Sequence, residues 1–270
     1  MEDYAIIKTT IGSLKQEPKF TGEAADEALF GMIVKLIERP SDEWYYIETS
    51  YNYRGYIHES QIEICGEYAL KWDREAEHTI NLGIVDVLKE PKFQSYPIFQ
   101  LTRGAVVKLS GRVSENWTEI LFPDGNSGWI RTDFIIKRIR LEDRPSEEVL
   151  RESVVKTALS YLGTQYRWGG KSPLGIDCSG LCSISYMMNG VIIYRDAKLK
   201  EEFNMRSISR EEMKPGDLMY WPGHVAMYIG NDKYVHSTGA SSGVVINSLN
   251  PEDIDYREDL ANISEIGTVF

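Results

Sequence analysis

Cys178 stands in the run Gly175-Ile176-Asp177-Cys178-Ser179-Gly180-Leu181, between small and acidic residues and ahead of an apolar-rich stretch that ends at Met188. Leu181, Ile184, Ser185 and Met188 fall at helical spacing, which places the cysteine in the first turn of a helix. There a thiol faces unpaired backbone N–H groups and the positive end of the helix dipole. Both favour thiolate, so the thiol pKa is expected to fall from about 8.5 into the range of roughly 3.5 to 7.5 of activated cysteines. A nucleophile of this kind needs a base. His224 follows in Gly223-His224-Val225 and His236 in Val235-His236-Ser237, and Asn231-Asp232 between them is a hairpin turn signal flanked by β-rich runs. On adjacent antiparallel strands the two imidazoles become neighbours. The chemistry that fits is thiol nucleophilic catalysis, in which His224 takes the proton of Cys178 and His236 fixes the tautomer and plane of His224.

Cys178, Cys182, His224 and His236 are also residue types that zinc takes. Structural zinc cysteines usually sit in knuckles of closer spacing, so no metal or cofactor is expected and Cys182 reads as a small buried apolar residue.

Several elements must hold these residues in place. Pro145 and Ser146 followed by Glu147-Glu148 form a helix start, and Leu150, Val154, Ala158 and Leu162 mark one apolar face that Gly163 ends. Upstream, the residues before about 66 read as short strands and turns. Their core phrase, Trp44 with alternating residues and then Gly55-Tyr56-Ile57, recurs as Trp117 and Gly128-Trp129-Ile130 with the same internal gap. Two copies of one small β-domain followed by a charged linker at 137–146 give three domains, at residues 1–66, 67–137 and 138–270.

Composition sets outer limits. The chain has 270 residues, 42% hydrophobic and 26% charged, as in a soluble globular protein, with no apolar run long enough to span a membrane. Its net charge of −11 argues against nucleic acid and against adhesion to an anionic membrane or wall. Three cysteines and a start without basic and apolar leader regions suggest reduced thiols and a cytoplasmic enzyme, expected to be a monomer.

The ordered set Tyr166-Arg167-Trp168-Gly169-Gly170, Asp177-Cys178-Ser179-Gly180-Leu181, Lys214-Pro215-Gly216-Asp217-Leu218, Gly223-His224-Val225 and Val235-His236-Ser237 resembles the NlpC-type cysteine peptidases that cut bacterial cell-wall peptides. The resemblance covers about residues 145–270, and the duplicated β phrase resembles bacterial SH3-like modules. What these imply is an α+β fold, a papain-like catalytic domain preceded by two small SH3-like β-barrels.

The resemblance also implies substrate contacts. Tyr166 would line the site, Asp177 would help hold the substrate's free amino group, and Ser179 would join them. Asp196 belongs to Arg195-Asp196-Ala197, a phrase that in the family ends in serine, so Ala197 is a departure that removes a hydroxyl. In the subgroup with this layout the first SH3-like module closes the cleft, and Glu23 and Tyr53, or Tyr56 in place of Tyr53, match its contacts to the amine. Each residue also has a plain structural reading. Tyr166 is then a core aromatic, Asp177 a helix cap, Asp196 a loop residue, Glu23 an exposed charge and Tyr53 a turn aromatic. Asp217 reads as structural, and His58 and His78 as solvent-facing.

The implied activity is cleavage of the γ-D-Glu–L-diamino acid bond of muropeptides with a free N-terminal L-Ala, in cell-wall recycling. A wall-peptide-binding protein with an accessory catalytic fold remains an alternative. So does an amidase or acyltransferase using the same cysteine.

Overall fold

The computed structural model describes residues 4–270, and the chain divides into two compact units between Arg138 and Ile139. In the first unit, short runs of alternating burial such as Ile11-Gly12-Ser13-Leu14-Lys15 make strands with one face inward. The chain runs through β1 (Tyr4–Ile7), β2 (Ile11–Lys15), β3 (Ala24–Leu29), β4 (Ile33–Glu38), β5 (Trp44–Thr49), β6 (Arg54–His58) and β7 (Ile62–Ile64), hydrogen-bonded in the order β3-β2-β6-β5-β4-β1-β7. Helix α1 (Glu67–Glu75) follows. Then come β8 (His78–Ile80), β9 (Ile84–Leu88), β10 (Pro97–Thr102), β11 (Val106–Ser114), β12 (Trp117–Leu121), β13 (Ser127–Arg131) and β14 (Ile135–Lys137), in the order β10-β9-β13-β12-β11-β8-β14.

Replacing each strand of the first sheet by its counterpart in the second converts one order into the other. The repeat is therefore one of topology as well as of sequence. Trp44 and Trp117 open β5 and β12, and Gly55 and Gly128 take matching places in β6 and β13. A Cβ on Gly128 would lie 2.5 Å from Val87 Cγ1, so the strand approach there requires glycine. Val85, Val87, Leu101, Val107, Ile120 and Ile130 form the core of the second sheet together with Phe30.

Helix α1 has no counterpart among the sequence expectations. It is held by Trp72, fully buried, whose indole N–H donates to the Gly31 carbonyl at 3.0 Å. His58 and His78 correct the expectation that both face solvent, since each is half-buried. His58 caps a short turn by accepting from the Ser60 amide, and its ring lies 4.7 Å from that of Phe20.

The second unit begins with α2 (Glu147–Leu159) and continues through β15 (Lys171–Ser172), β16 (Gly175–Ile176), α3 (Cys178–Met187), β17 (Arg206–Ser207), β18 (Leu218–Trp221), β19 (His224–Gly230), β20 (Lys233–Thr238), β21 (Gly243–Ser248) and β22 (Glu265–Thr268). Its six-stranded sheet has the order β17-β22-β18-β19-β20-β21, antiparallel throughout, with α3 packed on β19 and β20 and α2 on α3. Leu150, Val154 and Ala158 are buried as the spacing predicts, but α2 stops before Leu162, which is 46% exposed. The reason is tertiary. Gly163, at φ +80, turns the chain so that its N–H donates to the Val244 carbonyl at 3.1 Å on the sheet edge.

Candidate active site

Asp177 makes the start of α3. Its backbone is extended, at φ −93 and ψ 178, and its carboxylate accepts from the Gly180 N–H at 2.6 Å and the Gly169 N–H at 2.8 Å. Gly180 is required here because a Cβ would come within 2.1 Å of the Gly170 carbonyl oxygen. Cys178 is thereby the first residue of the helix, 7% exposed, and every residue from Cys178 to Tyr186 is buried. A helix enclosed on all sides explains why its sequence carries no charged residue and why its serines bond within it or to Asp177. Cys182, one turn on, is 1% exposed, in keeping with a small apolar core residue.

The strand that packs on α3 brings in the first histidine. His224 opens β19, and the backbone N–H of the next residue, Val225, donates to the Cys178 sulfur, as does that of Ser179. The chain then reverses at Asn231 and Asp232, both at positive φ of 52° and 55°, the geometry of a type I′ hairpin turn, and returns in β20 with His236. His224 Nε2 lies 2.7 Å from His236 Nδ1. The structure thus sets His224 against His236 and brings the backbone of Val225, the residue after His224, to the Cys178 sulfur.

The thiol's acidity is the expectation that fails. Burial pushes the Cys178 pKa up, and the neighbouring Asp177 charge pushes the same way. The two amide donors and Arg195 pull down without reversing it. At a helix start that is buried, desolvation of the anion outweighs the helix dipole. Burial and the neighbouring His236 also push His224 down to about 4, and burial lowers His236. Burial thus favours the uncharged form of each of these groups.

This has a consequence for stability. An unfolded chain protonates His224 near the ordinary 6.5, whereas the folded chain holds it neutral to about 4. Between those values the unfolded state binds the additional proton, so stability falls as pH drops through the window, by at most roughly 3 kcal/mol for this one group. Urea titrations at pH 7 and pH 4.5 are expected to show a smaller loss for His224→Leu than for the parent. Equal losses in the two proteins would refute the assignment.

The other sequence-predicted residues fall in several settings. Tyr166 is half-buried, its amide donating to the Ser242 carbonyl at 2.9 Å, and burial together with nearby Cys178 and Asp177 pushes its hydroxyl pKa up to about 12. Ser179 is buried and donates to Asp177 at 3.1 Å. Asp196 sits in a loop as hydrogen-bond partner of Tyr194. Asp217 is fully buried, accepting from the Lys214 amide at 2.7 Å and from Arg151 at 2.9 Å, a structural role. Glu23 and Tyr53 belong to the first unit. Glu23 is exposed just before β3, and Tyr53 is half-buried just before β6, its backbone N–H donating to Thr49 Oγ1 at 3.0 Å.

Two residues were not anticipated in these roles. Arg195 is 1% exposed and clamps Asp177 with two N–H···O bonds of 3.0 Å, while also donating to Ser179 Oγ at 2.7 Å and to the Gly170 carbonyl at 3.3 Å. Asn247 places Oδ1 at 2.9 Å from His236 Nε2. Its signal was available only through strand register. Val245 pairs with His236, so Asn247 lies two residues along on the same face of β21.

Comparison with known proteins adds to this geometry. Residues 163–258 match the NlpC/P60 family, and residues 14–62 match the bacterial dipeptidyl-peptidase Sh3 domain. The chain is 42% identical over 270 residues to dipeptidyl-peptidase 6 of Lysinibacillus sphaericus, covering 98% of this chain and 99% of that protein. It is 27% identical to the gamma-D-glutamyl-L-lysine dipeptidyl-peptidase of Bacillus cereus, over 83% of this chain and 70% of that one. In fold it is similar to the crystal structure of an NlpC/P60 family protein from Bacillus cereus, with a TM-score of 0.79, 20% identity and 98% coverage of both chains.

Proposed function

The chain belongs to the NlpC/P60 family and is a cysteine peptidase, and from that premise we propose that it cleaves the γ-D-Glu–L-diamino acid bond of muropeptides, releasing L-Ala-γ-D-Glu. The observation that carries the choice of bond is the likeness, over nearly the whole of both chains, to a protein named dipeptidyl-peptidase 6. A second support is the relative named for a γ-D-glutamyl-L-lysine dipeptidyl-peptidase.

In this reading Cys178 is the nucleophile. With burial favouring the uncharged thiol and imidazole, His224 takes the thiol proton as sulfur attacks the γ-carbonyl carbon. Backbone N–H groups at the start of α3 hold the oxyanion, each such donor being worth about 10²–10³ in rate. The imidazolium then gives its proton to the departing amine as the C–N bond breaks, a step usually worth about 10²–10⁴, and leaves a thioester. Water gives a proton to His224 as it attacks the thioester. The sulfur recovers that proton on release of the dipeptide.

Tyr166, Asp177, Ser179 and Asp196 line the peptide in this proposal, and Asp177 reads its free amine. The second strand set, with the same order as the first, is read as a second SH3-like module. Action on free peptides in the cytoplasm, by a monomer, completes the reading.

Mass spectrometry of products from L-Ala-γ-D-Glu-diaminopimelate and from its N-acetylated form tests it. Cleavage of the free peptide alone is expected. Equal cleavage of both would remove the amine-reading role of Asp177, and cleavage of neither would return weight to a binding or amidase function.

A further inference from the structure

The protons of the two histidines can be placed from hydrogen-bond geometry. The backbone carbonyl of Asp255 only accepts, and it lies 2.6 Å from one polar atom of the Asn247 amide, which must therefore be the nitrogen Nδ2. The same carbonyl accepts from the Ser248 N–H at 3.1 Å, so its position is set independently of Asn247. With Nδ2 fixed, Oδ1 is the atom that faces His236 Nε2 at 2.9 Å. An amide oxygen carries no proton, so Nε2 of His236 must donate. A neutral imidazole has one N–H, and burial keeps both rings neutral. Nδ1 of His236 is then an acceptor, and the group 2.7 Å away, His224 Nε2, must donate to it. One arrangement satisfies every partner. It leaves Nδ1 of His224 without a proton.

We infer that Asn247 is a positioning residue that, through His236, fixes His224 in the tautomer with its bare nitrogen at Nδ1, ready to accept a proton. The inference rests on the reading of His224 as the base for Cys178. Without the Asn247 oxygen, the fully buried His236 has no such partner at Nε2 and is free to carry its proton on Nδ1. His224 would then accept at Nε2 and hold its own proton at Nδ1, and a base already protonated where it must act cannot take the thiol proton. The other charged groups beside this pair are Arg257 and Asp259, which bond to each other at 2.6 Å.

The test reads ¹⁵N chemical shifts of the imidazoles in ¹⁵N-histidine-labelled full-length protein at pH 7, where the chain's four histidines make assignment tractable. In the parent both His224 and His236 are expected to carry the proton on Nε2. Asn247→Leu is expected to give a mixture of tautomers and to lower kcat by roughly 10²- to 10⁴-fold with little change in KM, the upper end being the cost of a catalytic histidine in the wrong tautomer. Asn247→Asp keeps an accepting oxygen. It is expected to retain the parent tautomer and, because its charge favours imidazolium, to move the acid limb of kcat to higher pH.

A parent His224 protonated on Nδ1, or an Asn247→Leu protein with unchanged tautomers, would overturn the inference. If Asn247→Leu does not fold, Asn247→Asp decides alone, and loss of the parent tautomer there counts against it. The spectra need no substrate, so a wrong choice of peptide bond under the proposed function would leave this result standing.

Discussion

Cys178→Ala is expected to lower kcat on the cleaved peptide by about 10⁶-fold, to the level left by binding and backbone donors, since removal of a covalent nucleophile disables the base along with it. The reason lies in the surroundings of the sulfur. It is 7% exposed, opens a helix capped by Asp177, and receives N–H groups from Ser179 and Val225. Alanine removes the sulfur that these two N–H groups meet but leaves the Asp177 cap of the helix in place. The fold should survive, as circular dichroism and the urea midpoint would report. His224→Ala should resemble it in rate, and the double variant should be little worse than either single one, because nucleophile and base act as a unit. A Cys178→Ala protein retaining more than a tenth of parental kcat would end the thiol mechanism.

Arg195→Met is expected to be the most costly change to stability, on the order of 3–5 kcal/mol, because it leaves a buried carboxylate without its counter-charge. Asp177 is 6% exposed, and the guanidinium meets both of its oxygens. The carboxylate would keep the Gly169, Ser179 and Gly180 donors, so the start of α3 would be weakened rather than abolished. Arg195→Lys should recover little, since an ammonium cannot reproduce the two-pronged contact or reach Ser179 and Gly170 as well. Arg195→Met with Asp177→Asn should recover more than half of the loss, because the stranded charge goes with its partner. Hydrogen exchange of the α3 amides would isolate the second unit's opening from that of the first. A loss under about 1 kcal/mol in Arg195→Met would mean that the pair contributes nothing net.

Much of this molecule was legible in local patterns. The turn at Asn231-Asp232, the helix start before Glu147 and the duplicated phrase of Trp44 and Trp117 each depend on the conformational preferences of a few adjacent residues, and the structure has them where the chain says. The pairing of His224 with His236 needed more than the turn, which alone would set Met227 opposite His236 and His224 on the other face; a β-bulge between Tyr228 and Gly230 shifts the register by one and brings the two rings together. Helix α1 was not legible, since nine residues with two buried positions, Ala69 and Trp72, carry too little periodicity, and it is held by a bond to Gly31 far away in the chain. The end of α2 was misread for a related reason. The apolar spacing runs on to Leu162, but a contact with β21 turns the chain first.

The chain alone therefore determined which atoms are available for chemistry: a thiol at a helix start, two imidazoles across a hairpin, and the ordered motifs around them. Tertiary structure decided their protonation. How far Cys178 is desolvated, that Arg195 meets Asp177, and that Asn247 stands behind His236 all depend on segments distant in sequence. Acidity and tautomer are set by burial and by which dipoles and charges lie within a few ångströms, and residue spacing along the chain does not encode those distances.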